Sequence, residues 1–251
     1  MSEPVLLSER RGKVALITLN RPEKRNALNA ELSQALCDAV AAAQDAGCIV
    51  ITGAGPAFCA GLDLRNLGAE RLADFPSYTH AMAASQIPMI AAVNGAAVTG
   101  GFEVALLCDF MIASERAVFA DTHLRVGVYP GPVVVDLPRR VGEAWARQIS
   151  LSGNFVDAQT ALRIGLVNQL VPHDQLMAEV MKVADAIAEQ PRDMVVALRA
   201  DWNESMGVPV AEGRRVHARH AVSGGFGGNR GEEIAARREA VLARSREQRS
   251  G

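Results

Sequence analysis

Short apolar runs alternate with glycine-rich loops over the first half of the chain and predict a β-α-β opening. Lys13–Leu19 and Cys48–Thr52 are β-branched and aliphatic runs, typical of buried strands. Asn29 can cap a helix between them, and Gly47 can end it. Apolar residues recur at helical spacing along that segment, at Leu32, Leu36, Ala39, Val40 and Ala43. The chain therefore opens as a strand, an amphipathic helix and a second strand.

The same order of strand, glycine loop and short helix recurs further along the chain. After a loop at 53–61, Met89–Val93 predicts another strand. A second loop, ending at Gly100 and Gly101, leads into a short helix, and Phe110–Ala113 resumes as a strand. Repetition of this unit predicts a layered or spiral α/β core.

The second half of the chain has a different pattern. Beyond Gly142 it is mainly helical, with one strand-like run at Val167–Val171 and a break at Pro191. We therefore predict a core over residues 1–194 and a C-terminal helical region over residues 195–251, which would serve in oligomerisation or as a lid.

The length, apolar content and net charge of the chain exclude some classes of function. A chain of 251 residues with 49% apolar residues can bury a substantial core. Its formal net charge is −2, and charges of both signs are interspersed. No basic face is predicted, so we expect no nucleic-acid partner. The long apolar region Pro88–Ala113 is broken by Asn94, Glu103 and Asp109, which predicts buried core and no membrane span.

The cysteines and the N-terminus indicate the compartment. The four cysteines show no CxxC spacing and no zinc-like pairing with histidines, so we expect reduced, mostly buried thiols and no metal. The segment Met1–Arg11 is charged and lacks the apolar core of a signal peptide. We therefore expect a cytoplasmic protein.

The glycine loops are the first candidates for chemistry. The sequence contains no GxSxG elbow, HExxH, P-loop or complete GxGxxG motif. Two glycine loops that follow buried strands can instead present backbone N–H groups to one point, as an oxyanion hole requires. Gly100 and Gly101 lie where a helix is predicted to begin, which favours negative charge. Glu103 lies one turn further in an apolar stretch, either as a proton-transfer group or as an acidic residue favoured by the helix dipole.

Three segments resemble the enoyl-coenzyme A hydratase/isomerase, or crotonase, family. They are 20–29 (NRPEKRNALN), 53–64 (GAGPAFCAGLDL) and 91–110 (AAVNGAAVTGGFEVALLCDF). The resemblance implies an α/β fold of the crotonase (ClpP-like) type, a spiral of repeated β-β-α units with a helical C-terminal region. It also implies a homotrimer or a dimer of trimers, and an acyl-coenzyme A thioester as substrate, so that coenzyme A enters with the substrate and no separate cofactor is needed.

The resemblance also implies roles for particular residues. The backbone amides of Ala60 and Gly100 would hold the thioester oxygen, and Glu103 would be one of the two catalytic glutamates of hydratases. Two segments would border the adenine and pantetheine of coenzyme A; their residues are Arg25, Ala27, Leu28, Gly61, Leu62, Asp63 and Leu64.

One position departs from the hydratase pattern. His123 occupies the place of the second glutamate, and an imidazole differs from a carboxylate in charge and reach. His123 could still orient water or exchange a proton, and Asp121, two residues earlier, either orients it or is solvated.

Three functions follow from this resemblance. The leading hypothesis is hydration of a 2-trans-enoyl-coenzyme A to the 3-hydroxyacyl thioester, with Glu103 acting on water, His123 assisting, and amides stabilising the enolate. The alternatives are double-bond isomerisation or other enolate chemistry, and an acyl-coenzyme A binding protein with low turnover.

Overall fold

The computed structural model of the chain describes residues 3–63, 76–224 and 237–238. Packing divides the chain into two compact units, Met1–Val195 and Val196–Gly251. The first unit holds both sheets and the candidate site. The second begins within the helix α8, Arg192–Ser205, and continues with α9, Val210–Ser223.

A six-stranded sheet forms the centre of the first unit. In spatial order its strands are β1 (Leu6–Arg11), β2 (Val14–Leu19), β3 (Cys48–Gly53), β5 (Met89–Val93), β7 (Phe110–Ser114) and β10 (Gln169–Val171). β1 and β2 are antiparallel, and every other pair in this sheet is parallel. Parallel strands are covered on both faces, which explains the continuous apolar runs of β2, β3 and β5.

Helices join and cover the strands of this unit. They are α1 (Ala30–Ala42), α2 (Tyr78–Ala84), α3 (Gly100–Leu106), α4 (Val133–Val141), α5 (Glu143–Ser152), α6 (Ala158–Arg163) and α7 (Leu176–Ala188). The side chain of Asn29 accepts a hydrogen bond from the Leu32 N–H at 2.9 Å and caps α1. Apolar residues recur at every fourth position along one face of α7 and pack on the central sheet; they are Leu176, Val180, Ala184 and Ala188.

A smaller sheet lies beside the central one and carries the site. Its order is β4 (Ala57–Cys59), β6 (Ala96–Val98), β8 (Val118–Ala120) and β9 (Val156–Asp157). β4, β6 and β8 run parallel, so the loops that follow them leave the sheet at one edge. This edge is where ligands bind in many open parallel sheets.

The structure confirms the layered α/β core. The strands predicted from the apolar runs before Ser114 match β2, β3, β5 and β7, and the capped helix matches α1. The short strands of the smaller sheet and β1 were not predicted. In the described parts of the chain, no helix has the length and apolar character needed to cross a bilayer.

Candidate active site

Three loops from the carboxyl edge of the smaller sheet converge on one small cavity. The loop after β4 contains Ala60 and Leu62, the loop after β6 contains Thr99, and the segment after β8 contains Thr122 and His123. All five line the cavity, and the remaining lining residues are Val126 and Val128. The parallel pairing of the three strands therefore assembles the site from segments distant in sequence.

Helix α3 begins at Gly100, directly after the cavity-lining residue Thr99. Thr99, just before the helix, has a φ of 52°, a conformation unusual for a β-branched residue. Two hydrogen bonds hold it there: its N–H donates to the Ala120 carbonyl at 2.9 Å, and its hydroxyl shares a hydrogen bond of 2.6 Å with that of Thr122. These contacts fix the direction of the helix start, and no described residue accepts from the Gly100 N–H.

The loop after β4 touches the start of α3 at positions where only glycine fits. A Cβ built on Gly101 would lie 2.2 Å from the Cys59 carbonyl oxygen. A Cβ on Gly61, whose φ is 91°, would lie 2.8 Å from the Val98 carbonyl oxygen and 3.5 Å from the Gly100 nitrogen. The two glycine loops therefore pack directly against each other.

The free amide of the first loop is not the predicted one. The Ala60 N–H donates to the Arg25 carbonyl at 2.9 Å, so it is occupied within the protein. Leu62 instead pairs with Leu28 in a parallel bridge, in which the Leu28 N–H donates to Gly61 and the Asp63 N–H donates to Leu28. This pairing leaves the Leu62 N–H without an acceptor among the described residues. The prediction for Ala60 is therefore corrected to Leu62.

Glu103 lies in α3, and its carboxylate is buried between Tyr78, Val133 and Gly131. The side chain of Glu103 is 6% exposed. The Tyr78 hydroxyl donates to Oε2 at 3.4 Å, and the Val133 N–H approaches Oε1 at 3.5 Å. Burial raises the pKa of Glu103, while His123 and the amides of Val133 and Gly131 oppose the rise. A carboxyl group with a raised pKa is suited to give and take a proton near neutral pH.

His123 and Asp121 form a buried pair directly after β8. The ring Nδ1 of His123 lies 2.6 Å from Oδ1 of Asp121, and Nε2 lies 4.0 Å from Oε1 of Glu103. Burial tends to raise the pKa of Asp121, but the hydrogen bonds donated by the ring and backbone of His123, with the Ser150 hydroxyl nearby, hold the pKa below its ordinary value. The structure thus brings the two predicted catalytic side chains together, and it shows that Asp121 contacts the histidine.

The residues predicted to border coenzyme A lie on two adjoining segments. Ala27 and Leu28 are buried, whereas Arg25 is exposed and has a left-handed φ of 50°. The Leu28–Leu62 bridge brings Gly61, Leu62 and Asp63 against the first segment. An ion pair of 3.1 Å between Arg21 Nη2 and Asp63 Oδ2 closes the contact. Leu64 lies outside the described residues.

Two residues that support the site, Asn26 and Tyr78, were not predicted from the sequence. Asn26 is fully buried, with a φ of 56°, and its side-chain nitrogen donates to the carbonyls of Ala54, Ala57 and Phe58. Asparagine favours turns, but residue type alone does not indicate these three bonds. Tyr78 comes from α2, and nothing in its local sequence indicates a contact with Glu103.

Fold and site together define the class of the protein: an α/β enzyme with buried acid–base side chains at the carboxyl edge of a parallel sheet. Among the residues with described positions, no three His, Cys, Asp or Glu side chains form a group that could hold a metal ion. The side chains of Glu103, His123 and Asp121 and the amides of Leu62 and Gly100 are the groups available for chemistry.

The chain belongs to the enoyl-CoA hydratase/isomerase family, whose model matches residues 9–223. It is 42% identical over 229 residues to the "probable enoyl-CoA hydratase" of Rhizobium meliloti, covering 87% of this chain and 89% of the relative. It is 35% identical over 225 residues to the crotonyl-CoA hydratase of Syntrophomonas wolfei, covering 85% and 86%. The crystal structure of the enoyl-CoA hydratase from Mycobacterium tuberculosis H37Rv superposes with a TM-score of 0.75 at 42% identity, covering 88% of this chain and 99% of that one. The fold is that of the crotonases.

Proposed function

We propose that this chain is an enoyl-CoA hydratase that adds water to a 2-trans-enoyl-CoA to give the 3-hydroxyacyl-CoA. The observation that carries the proposal is the pair of Glu103 Oε1 and His123 Nε2, which lie 4.0 Å apart. His123 lines the same cavity as Leu62, whose amide has no acceptor among the described residues. Relatives named as hydratases support it. Isomerisation and a binding role without turnover are not favoured, because the similar proteins across most of the chain carry the hydratase name.

The amides of Leu62 and Gly100 would form the oxyanion hole. Both belong to the touching glycine loops, and neither has an acceptor within the described parts of the chain. Donors placed where negative charge develops in the transition state contribute about 10²–10³-fold each to the rate of acyl chemistry. These amides would hold the thioester oxygen and stabilise the enolate formed when water adds to the conjugated double bond.

Glu103 and His123 would hold and activate the water. A water between Oε1 and Nε2 can donate one O–H to each at ordinary hydrogen-bond distances. As its oxygen bonds to the β-carbon, Glu103 takes its proton, and the π electrons of the double bond move toward the thioester oxygen. The enolate electrons then form the bond from the α-carbon to a proton returned by Glu103. Water is thereby added with no net change in the enzyme.

The edge formed by Arg25, Ala27, Leu28, Gly61, Leu62 and Asp63 would border the adenine and pantetheine of coenzyme A. The exposed Arg25 supplies positive charge, and the Arg21–Asp63 ion pair keeps the two segments in contact. In this proposal coenzyme A arrives as part of the substrate and no separate cofactor takes part.

We further propose that the protein acts in the cytoplasm as a homotrimer or dimer of trimers. The core would end at residue 194, and residues 195–251 would serve in oligomerisation or as a lid. All four cysteines are free, which suits a reducing compartment. Large exposed side chains, among them Leu151 (72% exposed) and Phe155 (58%), support burial against other subunits. Mass photometry gives the number of subunits.

The test is loss of the conjugated-enoyl absorbance when the purified protein is mixed with crotonyl-CoA and medium-chain 2-enoyl-CoA. Glu103→Gln should lower kcat by about 10²–10⁴-fold, with thioester binding retained by calorimetry. Glu179→Gln in α7 is the matched control, and we expect normal turnover. If the wild-type protein binds the thioesters and leaves the absorbance unchanged, the hydratase proposal is wrong.

A further inference from the structure

We propose that Asp121 is a positioning residue that holds His123 in the Nδ1–H tautomer, so that Nε2 faces Glu103 as a proton acceptor. This inference rests on the proposed hydratase function and adds a part to its machinery. It concerns a side chain that would touch neither substrate nor water and would act through the imidazole.

One carboxylate oxygen of Asp121 holds His123 in two places. Oδ1 lies 2.6 Å from the ring Nδ1 and accepts the backbone N–H of the same histidine at 3.3 Å. Asp121 is 1% exposed and His123 is 3% exposed, so water does not compete for either bond. Two bonds from one residue to one oxygen fix both the position of the segment and the rotation of the ring.

The charge state of Asp121 determines which ring nitrogen carries the proton. Oδ1 already accepts a backbone N–H, and an ionised carboxylate has acceptors only. The hydrogen bonds that lower the pKa of Asp121 keep it ionised despite its burial. The nitrogen at 2.6 Å must therefore be the donor, and in a neutral ring the proton resides on Nδ1. Nε2 is then left with a lone pair.

That lone pair is directed at the reacting region. Nε2 faces Oε1 of Glu103, and the far oxygen of Glu103 accepts from Tyr78. Of the other polar groups nearby, Ser150 from α5 approaches Asp121, and the guanidinium of Arg125 is turned away toward the Ser152 carbonyl. With the opposite tautomer, Nε2–H would donate, and the imidazole could no longer accept a proton of the water. Asp121 thus selects the tautomer of the imidazole. A glutamate at position 123 would accept hydrogen bonds with either carboxylate oxygen and would not require such a partner.

The chain contains a second Asp–His pair that serves as a control. In the C-terminal unit, Nδ1 of His217 lies 2.6 Å from Oδ2 of Asp201, the same distance as in the first pair. Asp201 is also buried, and Oδ1 of Asp201, like Oδ2 of Asp121, has no partner within the described chain. His217 differs because its side chain is 70% exposed. Asp201→Asn therefore makes the same chemical change in a pair that contains none of the residues assigned to the candidate site.

The first experiment measures the tautomer directly. Protein labelled with ¹⁵N in its histidine rings is studied by magic-angle-spinning NMR, which is independent of the size of the assembly. The His123 signals are identified by their loss in His123→Gln. We expect the Nδ1–H form at a pH where the ring is neutral. A wild-type ring with its proton on Nε2 overturns the inference, whatever the variants do.

The second experiment compares Asp121→Asn with Asp201→Asn. An asparagine offers both a donor and an acceptor, so it no longer selects a tautomer, and the Nδ1–H population of His123 should fall. We expect kcat to fall by ~100-fold with KM within about twofold, and normal kinetics for Asp201→Asn. Because Asp121 acts through His123, Asp121→Asn combined with His123→Gln should be no slower than His123→Gln alone.

The outcomes separate this inference from the proposed function. Turnover by the wild-type protein with an unchanged kcat in folded Asp121→Asn overturns the positioning role and leaves the hydratase function standing. Independent losses in the double variant also overturn it, since they would show that Asp121 acts by a separate route. If the wild-type protein has no hydratase turnover, the proposed function is wrong, and a proton on Nε2 in the NMR spectrum still overturns the assignment of Asp121. If Asp121→Asn does not fold, the wild-type NMR spectrum decides.

Discussion

The Tyr78 hydroxyl donates to Oε2 of Glu103 at 3.4 Å, while the other oxygen of the same carboxylate faces His123. Burial and the Glu103 charge raise the pKa of Tyr78 far above its ordinary value, so the hydroxyl stays protonated and remains a donor. A hydrogen bond from a neutral donor thus steadies the carboxylate on the side away from the imidazole. Three elements, α2, α3 and the segment after β8, contribute to this arrangement.

Removal of this hydroxyl should slow turnover without unfolding the protein. Tyr78→Phe keeps the buried ring and loses one hydrogen bond to a charged group, for which we expect kcat to fall by about 10-fold. Steady-state kinetics on crotonyl-CoA measures the change. The other tyrosine of the chain, Tyr129, is 85% exposed, so Tyr129→Phe is the matched control and should retain wild-type kcat. Equal rates for both variants would contradict a role for Tyr78.

Replacement of the buried carboxyl should stabilise the fold in a pH-dependent way. The folded-state pKa of Glu103 is raised, so its contribution to stability is present below the unfolded-state pKa and is lost as pH rises through the folded-state value. Glu103→Gln avoids that loss. Its melting temperature should therefore exceed that of the wild-type protein at neutral and higher pH, by about 2–4 °C for each kcal/mol regained.

The measurement is a series of thermal melts from acidic to mildly basic pH. The difference between Glu103→Gln and the wild-type protein should shrink toward acidic pH, where the glutamate is protonated in both the folded and the unfolded state. A difference that grows on acidification has the opposite sign and would contradict a raised pKa.

Because Gly131 has no side chain, the Glu103 carboxylate can lie against its backbone. A Cβ at this position would lie 2.8 Å from Oε1 and 3.4 Å from Oε2. Because the end of a glutamate side chain can move, Gly131→Ala should displace the carboxylate and leave the fold intact. We expect kcat to fall by roughly 10–100-fold, since small misplacements of a reacting group cost up to that much.

The control for this change is Gly213→Ala in α9, where the nearest atom to the new methyl is at 3.4 Å, an ordinary contact. This variant should keep its activity and gain a little stability from the better helix propensity of alanine. A melting temperature for Gly131→Ala far below that of the wild-type protein would show instead that the methyl disrupts the backbone.

Asn26 should be one of the most sensitive positions for stability. Its buried side-chain nitrogen donates to three carbonyl oxygens around β4, at 2.8 to 3.2 Å. Asn26→Ala leaves these acceptors without their donor, and we expect a loss of about 3 kcal/mol. That loss corresponds to a fall in melting temperature of roughly 6–12 °C. The exposed Asn203→Ala should stay within about 0.5 kcal/mol of the wild-type protein.

The sequence predicted the central strands well and the smaller sheet poorly, for a physical reason. β3 and β5 contain four and five consecutive apolar side chains, and burial on both faces of the sheet produces such continuous runs, which can be recognised in a sequence. β4, β6 and β8 have three residues each, too few for any periodicity to appear. Their positions follow from pairing with one another, which is a long-range property.

The candidate site shows the same division. Glu103 was singled out because a charged residue in an apolar helix is costly, and Gly100 because the unsatisfied amides at a helix start favour negative charge. The resemblance to the family supplied the roles of both residues. Which amide is free in the loop after β4 depends on the bridge between Leu28 and Leu62, and side-chain identity carries no information about it. For this reason the sequence indicated Ala60 in place of Leu62.

The construction of the site on one sheet edge has a consequence for how its sequence can vary. β6 and β8 are locked in register by pairs such as Val98 with Ala120, and only two residues separate Ala120 from His123. An inserted or deleted residue in that short segment would carry the imidazole away from Glu103 by about the rise of one strand residue, near 3.3 Å. The turn between β7 and β8, which lies outside this stretch, can change length while the register is kept. Homologous chains should therefore differ in length in the outer turns and agree in spacing at the sheet edge.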